Sequence, residues 1–414
     1  MLMNKNPLRI LLAGVPFGRD NIGDEAILEC IVNILREINP EAEITVSTDT
    51  PEYTSKHLMV KTCPLYGFED PGYSKSQLDA TLAEIDLVIW AGATGLSDYP
   101  EVPLRIIKRA QDLGCKTALF CVGMNEDFNP KLYKLQPGKR KLLYTLLRVL
   151  TFNRWNLVQN HEARKQKRTE SLIKQVIPHM DFISVRDLPT QKRLKKILKN
   201  GARIRVGADP ALSLGLNPLG REKTRKVLKH RFSNDYKKIG ICISAQAPLA
   251  NLEKLVHLME RISNKKKVVW IGLPMNPKTD TVVLNRIKAE LNRPGDLIIM
   301  NDLIEPGQVA SAAELCDIVV SSRLHLLILS AISRTPFIGI SRGSKVDNFA
   351  HAFSMPLTGS VEHPDYAQLE SLLLTPAREH PISKTDYRKK LSNMNLSLDY
   401  VIRALQQFLK SIRA

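Results

Sequence analysis

The stretch SSRLHLLILSAISRTPFIGI, residues 321–340, sets Arg323 and His325 at the joint between an apolar run of strand character and one of helical character. CDIVVSS (316–322) reads as a strand, HLLILSAI (325–332) as a helix and TPFIGIS (335–341) as the next strand. Ser322, Arg323, Leu324 and His325 then form the turn at a strand's carboxyl end. A helix start there offers open N–H groups and partial positive charge, and an arginine adds a planar fork matched to carboxylate or phosphate. Lys345, in ISRGSKVDNF after the following strand, can reach the same crevice. Three such groups at adjacent strand ends suit a small, multiply charged anion. For His325 taken alone, a structural role at a helix start is an equal alternative.

Other polar residues fall at other strand ends. After the first apolar run comes GRDNIGDEAILECIVNIL, in which Asn21, Gly23, Asp24 and Glu25 lead into a helix that Asp24 could also simply cap. Gly14, Gly18 and Gly23 lack the G-x-G-x-x-G spacing, so no dinucleotide fingerprint is present. WAGATGLSD supplies Gly92 and Gly95, which suit a close backbone approach to a ligand or equally a tight turn. SVRDLPTQKRL puts Arg186 at a strand's end, where an ion pair is the plain reading, before a helix that Asp187 could cap. In ADPAL, Asp209 precedes a proline that suits the first turn of a helix.

The elements that must position these residues are short Val- and Ile-rich runs, each followed by a small or polar cluster and a helical pattern. They lie at 8–16, 43–48, 85–92, 116–123, 181–187, 202–210, 237–244, 267–274, 295–302, 316–322 and 335–341. Continuous rather than alternating apolarity marks strands covered on both faces, as in parallel sheets flanked by helices. The expected fold class is α/β, with two Rossmann-like doubly wound domains facing across a cleft. The expected boundaries are 1–200 for the first domain and 201–375 for the second, with a basic helix ending at Asn200-Gly201 and a helix at 384–414 packing back across both. The segment 131–176 interrupts the β-α rhythm with a long, basic, helical pattern. Its middle, KRKLLYTLLRVLTFNRW, suits either a helix lying on an anionic membrane surface or an amphipathic helix packed on the sheet with a solvated basic face.

Composition narrows the partners. Sixty Lys and Arg against forty-two Asp and Glu give a net charge of +18, which favours acidic ligands or an acidic surface. Aromatic content is 6%, and no stretch interleaves aromatic with basic residues as a base-stacking platform would, so nucleic acid is not an expected partner. The six cysteines are scattered, mostly in apolar runs, and read as buried thiols in a reducing cytoplasm. No apolar run reaches the roughly 18 residues of a membrane span. A cytoplasmic location is expected, with attachment at the inner face of the membrane as an added option.

Together these motifs resemble the polysaccharide pyruvyl transferase family. The resemblance rests on NIGDEAIL (21–28), AGATGLSD (91–98), SVRD (184–187), ADPAL (208–212) and, most specifically, SSRLHLLILSAISRTPFIGISRGSKV (321–346). The chain departs from the family in having Ala91-Gly92-Ala93-Thr94-Gly95 where a glycine run is common, and Arg342-Gly343-Ser344 before the lysine. The resemblance implies a glycosyltransferase-B-like fold, phosphoenolpyruvate as donor, and a sugar of a cell-surface or lipid-linked glycan as acceptor, joined as a pyruvate ketal with release of phosphate. It places Arg186, Arg323 and His325 at the donor and Asn21, Asp24 and Glu25 opposite; Leu324 and Lys345 complete the expected donor site, and Gly23, Gly92, Gly95 and Asp209 the expected acceptor side. His325 is the expected acid and Asp24 the expected base; neither a metal nor a cofactor is expected. A glycosyltransferase using a nucleotide-sugar donor, or a non-catalytic anion-binding relative, would fit the same architecture.

Overall fold

The computed structural model describes residues 7–68, 75–152, 154–199, 202–375 and 384–413. The chain divides into two compact units. The first sheet contains β1 (Arg9–Phe17), β2 (Glu43–Thr48), β3 (Lys61–Pro64), β4 (Leu87–Ala91), β5 (Lys116–Val122), β6 (Phe182–Val185) and β7 (Arg205–Val206), in the order β3-β2-β1-β4-β5-β6-β7. The second contains β8 (Lys237–Cys242), β9 (Val268–Gly272), β10 (Leu297–Ile299), β11 (Ile318–Ser321), β12 (Phe337–Ser341) and β13 (Leu357–Ser360), in the order β10-β9-β8-β11-β12-β13. Strand pairs in both sheets are parallel. Each sheet therefore runs outward in both directions from its first strand, and reverses between β1 and β4 and between β8 and β11. In open parallel sheets that reversal leaves a crevice at the carboxyl ends of the strands.

Burial explains why the apolar runs become strands. All five residues of β4 and all five of β9 are buried, with Trp90 and Trp270 in the sheet interiors. The second core joins Ile239, Ile241, Val268, Trp270, Ile318 and Ile338 from four strands to Leu255, Leu258, Met259 and Ile262 of the covering helix Leu252–Lys265. Two strands fall outside the eleven apolar runs. β3 (KTCP) and β13 (LTGS) are sheet edges, half covered, and carry too few apolar residues to stand out.

The units differ from the expected segments. The first comprises residues 1–16, 38–207 and 404–414; the second comprises 17–37 and 208–403. The helix Ile22–Ile38 follows β1 in sequence yet counts almost wholly with the second unit. The predicted helix end at Asn200-Gly201 lies outside the described residues. The helix Lys384–Arg413 contributes to both units: Tyr387 donates its hydroxyl to the Thr335 carbonyl at 3.2 Å, and Phe408 stacks on Phe182 of β6 at 5.6 Å. Among the described residues, no helix is long and apolar enough to cross a membrane.

The turn after β4 holds a strained residue. Ala93 is buried with φ 58°, in the left-handed region, and its carbonyl accepts the Gly123 N–H at 2.8 Å. A Cβ there costs about 1–2 kcal/mol, part of which glycine's greater unfolded-state entropy offsets. Ala93→Gly should stabilise the protein by about 0.5–1 kcal/mol in urea unfolding. An unchanged or lower midpoint would refute the strain.

Candidate functional site

In the first unit, Arg186 extends from the end of β6, and its side chain is buried rather than at the surface. Asp187 caps the helix Leu188–Leu198 by accepting the Thr190 N–H at 2.8 Å, and it accepts the Arg186 Nε–H at 3.0 Å. The attraction of the Arg186 charge and these hydrogen bonds outweigh burial and hold the Asp187 carboxyl below the usual range. The guanidinium lies flat on Gly123, where a Cβ would come within 2.7 Å of its carbon. Because Gly123 also donates to Ala93, the turn containing Gly92 and Gly95 and the seat of Arg186 share one residue. Gly92 has φ 69°, a conformation that favours glycine. Gly95 instead packs on Trp90, whose indole would lie 2.6 Å from an added Cβ.

In the second unit the site is organised around a residue that the sequence reading passed over. Asp280, wholly buried at the start of the helix Asp280–Glu290, accepts Arg323 Nε–H at 3.0 Å and Nη2–H at 2.6 Å. Its oxygens also accept the backbone N–H groups of Ala245 and Asn276, each at 3.0 Å. One carboxylate thus ties together the chain beyond β8, β9 and β11. Beside it, burial drives the Cys242 thiol well above its ordinary value, and the Asp280 charge adds to the effect. The third guanidinium nitrogen of Arg323 points at Gln246 Oε1, 3.4 Å away. Ser321 accepts the Arg323 N–H at 2.8 Å, and Ser322 Oγ accepts the Ser244 N–H at 3.0 Å, fixing the turn at the sheet's reversal point. From β12, Arg342 donates to Ser244 Oγ at 2.6 Å, and Lys345 sits in the first turn of the helix Ser344–Phe353.

Leu324 and His325 begin the helix Leu324–Ile332, Leu324 buried and the imidazole largely covered. Its Nε2 lies 3.8 Å from Asp209 Oδ2, an ion pair whenever the ring is protonated. Asp209 also caps the short helix Pro210–Ser213. The other side of the imidazole meets Gly23, and any Cβ at that position would overlap the ring. Gly23 is therefore required for His325 to reach its place. Nearby, Asn21 Nδ2 donates to Asp24 Oδ2 at 2.6 Å, and Glu25 Oε1 accepts the Gly18 N–H at 2.8 Å. Burial, aided by the charges of Asp24 and Asp20, pushes the Glu25 carboxyl up to about 7 despite that hydrogen bond.

The expected site residues accordingly fall into two groups. Arg186, Gly92 and Gly95 belong to the first unit; Asn21, Gly23, Asp24, Glu25, Asp209, Arg323, Leu324, His325 and Lys345 belong to the second. Asn21, Asp24 and Glu25, expected on the domain opposite the donor residues, are in the same unit as His325. Arg323 is held in a buried ion pair rather than presenting its whole fork outward. Asp280 left little trace in the sequence, since NPKTDTVVLNRI shows only a carboxylate at a helix start.

Two parallel-sheet α/β units of this order make the fold that of glycosyltransferase-B enzymes and sugar-nucleotide epimerases. The chain resembles Anabaena HepE in complex with UDP (TM-score 0.56, 11% identity, 98% of this chain and 100% of that one). It also resembles a Rickettsia africae glycosyltransferase (0.57, 13%, 98% and 99%) and the UDP-GlcNAc 2-epimerase of Methanocaldococcus jannaschii (0.54, 13%, 92% and 98%). These likenesses concern the fold alone. Within that class the chain belongs to the polysaccharide pyruvyl transferase family, whose model matches residues 21–344. Comparison with curated proteins gives no match.

Removing one partner of a buried ion pair leaves an uncompensated charge, at a cost of about 3–5 kcal/mol. Arg323→Ala should lower unfolding stability by that amount, and the Arg323→Ala/Asp280→Ala double variant should lose less than the sum of the two single changes. Additive losses in urea denaturation would show that the pair is not coupled.

Proposed function

We propose that the protein transfers the pyruvyl group of phosphoenolpyruvate to two hydroxyls of one sugar in a cell-surface or lipid-linked glycan. The observation that carries this reading is His325 at the β8/β11 reversal point, set between Asp209 and the helix start that holds Asp24 and Glu25. Family membership supplies the reaction class. The donor's carboxylate and phosphate suit the N–H groups at the starts of helices Leu324–Ile332 and Ser344–Phe353, with Arg342, Lys345 and the remaining face of Arg323 around them. Arg186 is the candidate anion contact of the first unit.

The chemistry follows from these groups. His325 delivers a proton to the terminal methylene carbon of the donor while one sugar hydroxyl attacks the adjacent carbon. A carboxylate takes the proton of that hydroxyl. The bond from carbon to the phosphate oxygen then breaks, and the second hydroxyl attacks the same carbon to close the ketal, its proton leaving with the phosphate. Asp24 and Glu25 are the two carboxylates available at the helix start, and Glu25, with its proton affinity near neutrality, is the better matched to taking and returning a proton at pH 7.

Phosphoenolpyruvate should raise the melting temperature where UDP and GDP do not, and phosphate should be released only when a glycan acceptor is present. Stabilisation by the nucleotides alone would favour a nucleotide-sugar glycosyltransferase; binding without phosphate release across an acceptor screen would favour a non-catalytic relative. His325→Ala should lower phosphate release at least about 100-fold with the fold intact.

Glu25 gives a separate prediction. Its folded value near 7 exceeds the ordinary 4.5, so its contribution to stability is present below pH 4.5 and lost as the pH rises towards 7. Glu25→Gln should remove that dependence from urea-unfolding curves measured across the window, and should remove an inflection near pH 7 from the rate profile. Profiles identical to those of the unaltered protein would exclude Glu25 from proton transfer.

A further inference from the structure

The helix Lys139–Leu150, in the first unit, is turned inside out. None of its residues is buried. Its exposed side carries Leu142, Leu143, Leu146, Val149 and Leu150, each more than half exposed, whereas Lys141, Tyr144, Thr145 and Leu147 are half covered. The spacing 142, 143, 146, 149 and 150 gathers those five apolar side chains on one continuous face. Beyond the helix end, Phe152 is 92% exposed and Trp155 63%. An amphipathic helix packed on a sheet does the opposite, burying its leucines and solvating its lysines. Of the two readings of this segment, a helix packed by its apolar face with a solvated basic face does not describe it.

Charge identifies the occupant. Residues 131–174 contain twelve Lys or Arg against two acids, Glu162 and Glu170. Lys139 and Arg140 at the helix start and Arg154 beyond its end are exposed. A second copy of this chain docked symmetrically would bring the same cationic rim against itself. An anionic bilayer instead neutralises the rim while its headgroup region receives Leu146, Leu150, Phe152 and Trp155. We propose that helix Lys139–Leu150, with Phe152 and Trp155 beyond its end, docks on an anionic lipid surface, the apolar side chains inserted and the neighbouring basic side chains on lipid phosphates. This surface belongs to the first unit and does not depend on the reaction assigned to the donor site.

Trp155 makes the proposal directly measurable. The other two tryptophans, Trp90 and Trp270, are fully buried, so a change of emission on adding lipid reports Trp155. The full chain should sediment with vesicles of phosphatidylcholine mixed with phosphatidylglycerol, with a blue shift of emission, and not with phosphatidylcholine alone. Raising the salt from about 0.1 M to 1 M shortens screening from about 10 Å to 3 Å and should release it. Lys139→Glu with Arg140→Glu should weaken partitioning more than about 20-fold, and Leu146→Glu with Leu150→Glu should abolish the blue shift. All four positions are exposed, and unchanged thermal unfolding of the variants would confirm that the fold is kept. Failure to bind the mixed vesicles, or binding untouched by either pair of changes, would overturn the proposal. So would a lipid-free dimer that Leu146→Glu with Leu150→Glu dissociates, since the face would then belong to a second copy.

Discussion

The carboxylate of Asp280 is where the second unit's functional end is decided. Buried charge is tolerated only when every oxygen is satisfied, and here two N–H groups of Arg323 and the backbone of Ala245 and Asn276 provide that. The requirement fixes the direction in which the chain leaves three neighbouring strands. Arg323, as the residue before the helix, in turn fixes where that helix begins and so where His325 stands. The pair has no net charge, and any anion at this end must be held by dipoles and by cations farther along, among them Arg342 and Lys345. Arg323 then acts as much by placing other donors as by offering its own.

His325 shows the same dependence on its surroundings. One flank of the imidazole is set by Asp209 and the other by the absence of a side chain at Gly23. The three residues are far apart in sequence and belong to three different helix starts. Only a rigid scaffold brings them within contact, which is why short motifs scattered over residues 21–344 can define a single family.

Much of the scaffold could be read from the chain alone because strands covered on both faces are apolar without interruption. β4, β9 and β11 announce themselves in LVIWA, VVWIG and IVVS, while the edge strands β3 and β13 need no such continuity and left no pattern. Arg323 and His325 were legible because charge is costly between two apolar runs and so calls for explanation. Asp280 was not, since an acidic residue at a helix start already has a sufficient local reason. The orientation of the helix Lys139–Leu150 was equally hidden: periodicity reports that a helix has two faces but not which one meets the protein. Likewise, the assignment of Asn21, Asp24 and Glu25 to the second unit depends on packing, because proximity to β1 in sequence suggests the first.

The division of the chain into units has a consequence for biosynthesis. Passage from one unit to the other occurs after residues 16, 37, 207 and 403, so neither is a continuous piece of polypeptide. A ribosome would release the strands β1–β7 long before residues 404–414, among them Phe408, which stacks on Phe182. The first unit emerges early yet is finished only by the last segment, and the second cannot be expressed alone without losing the helix that bears Gly23. Until residues 404–414 are made, the face of β6 that Phe408 covers is left open.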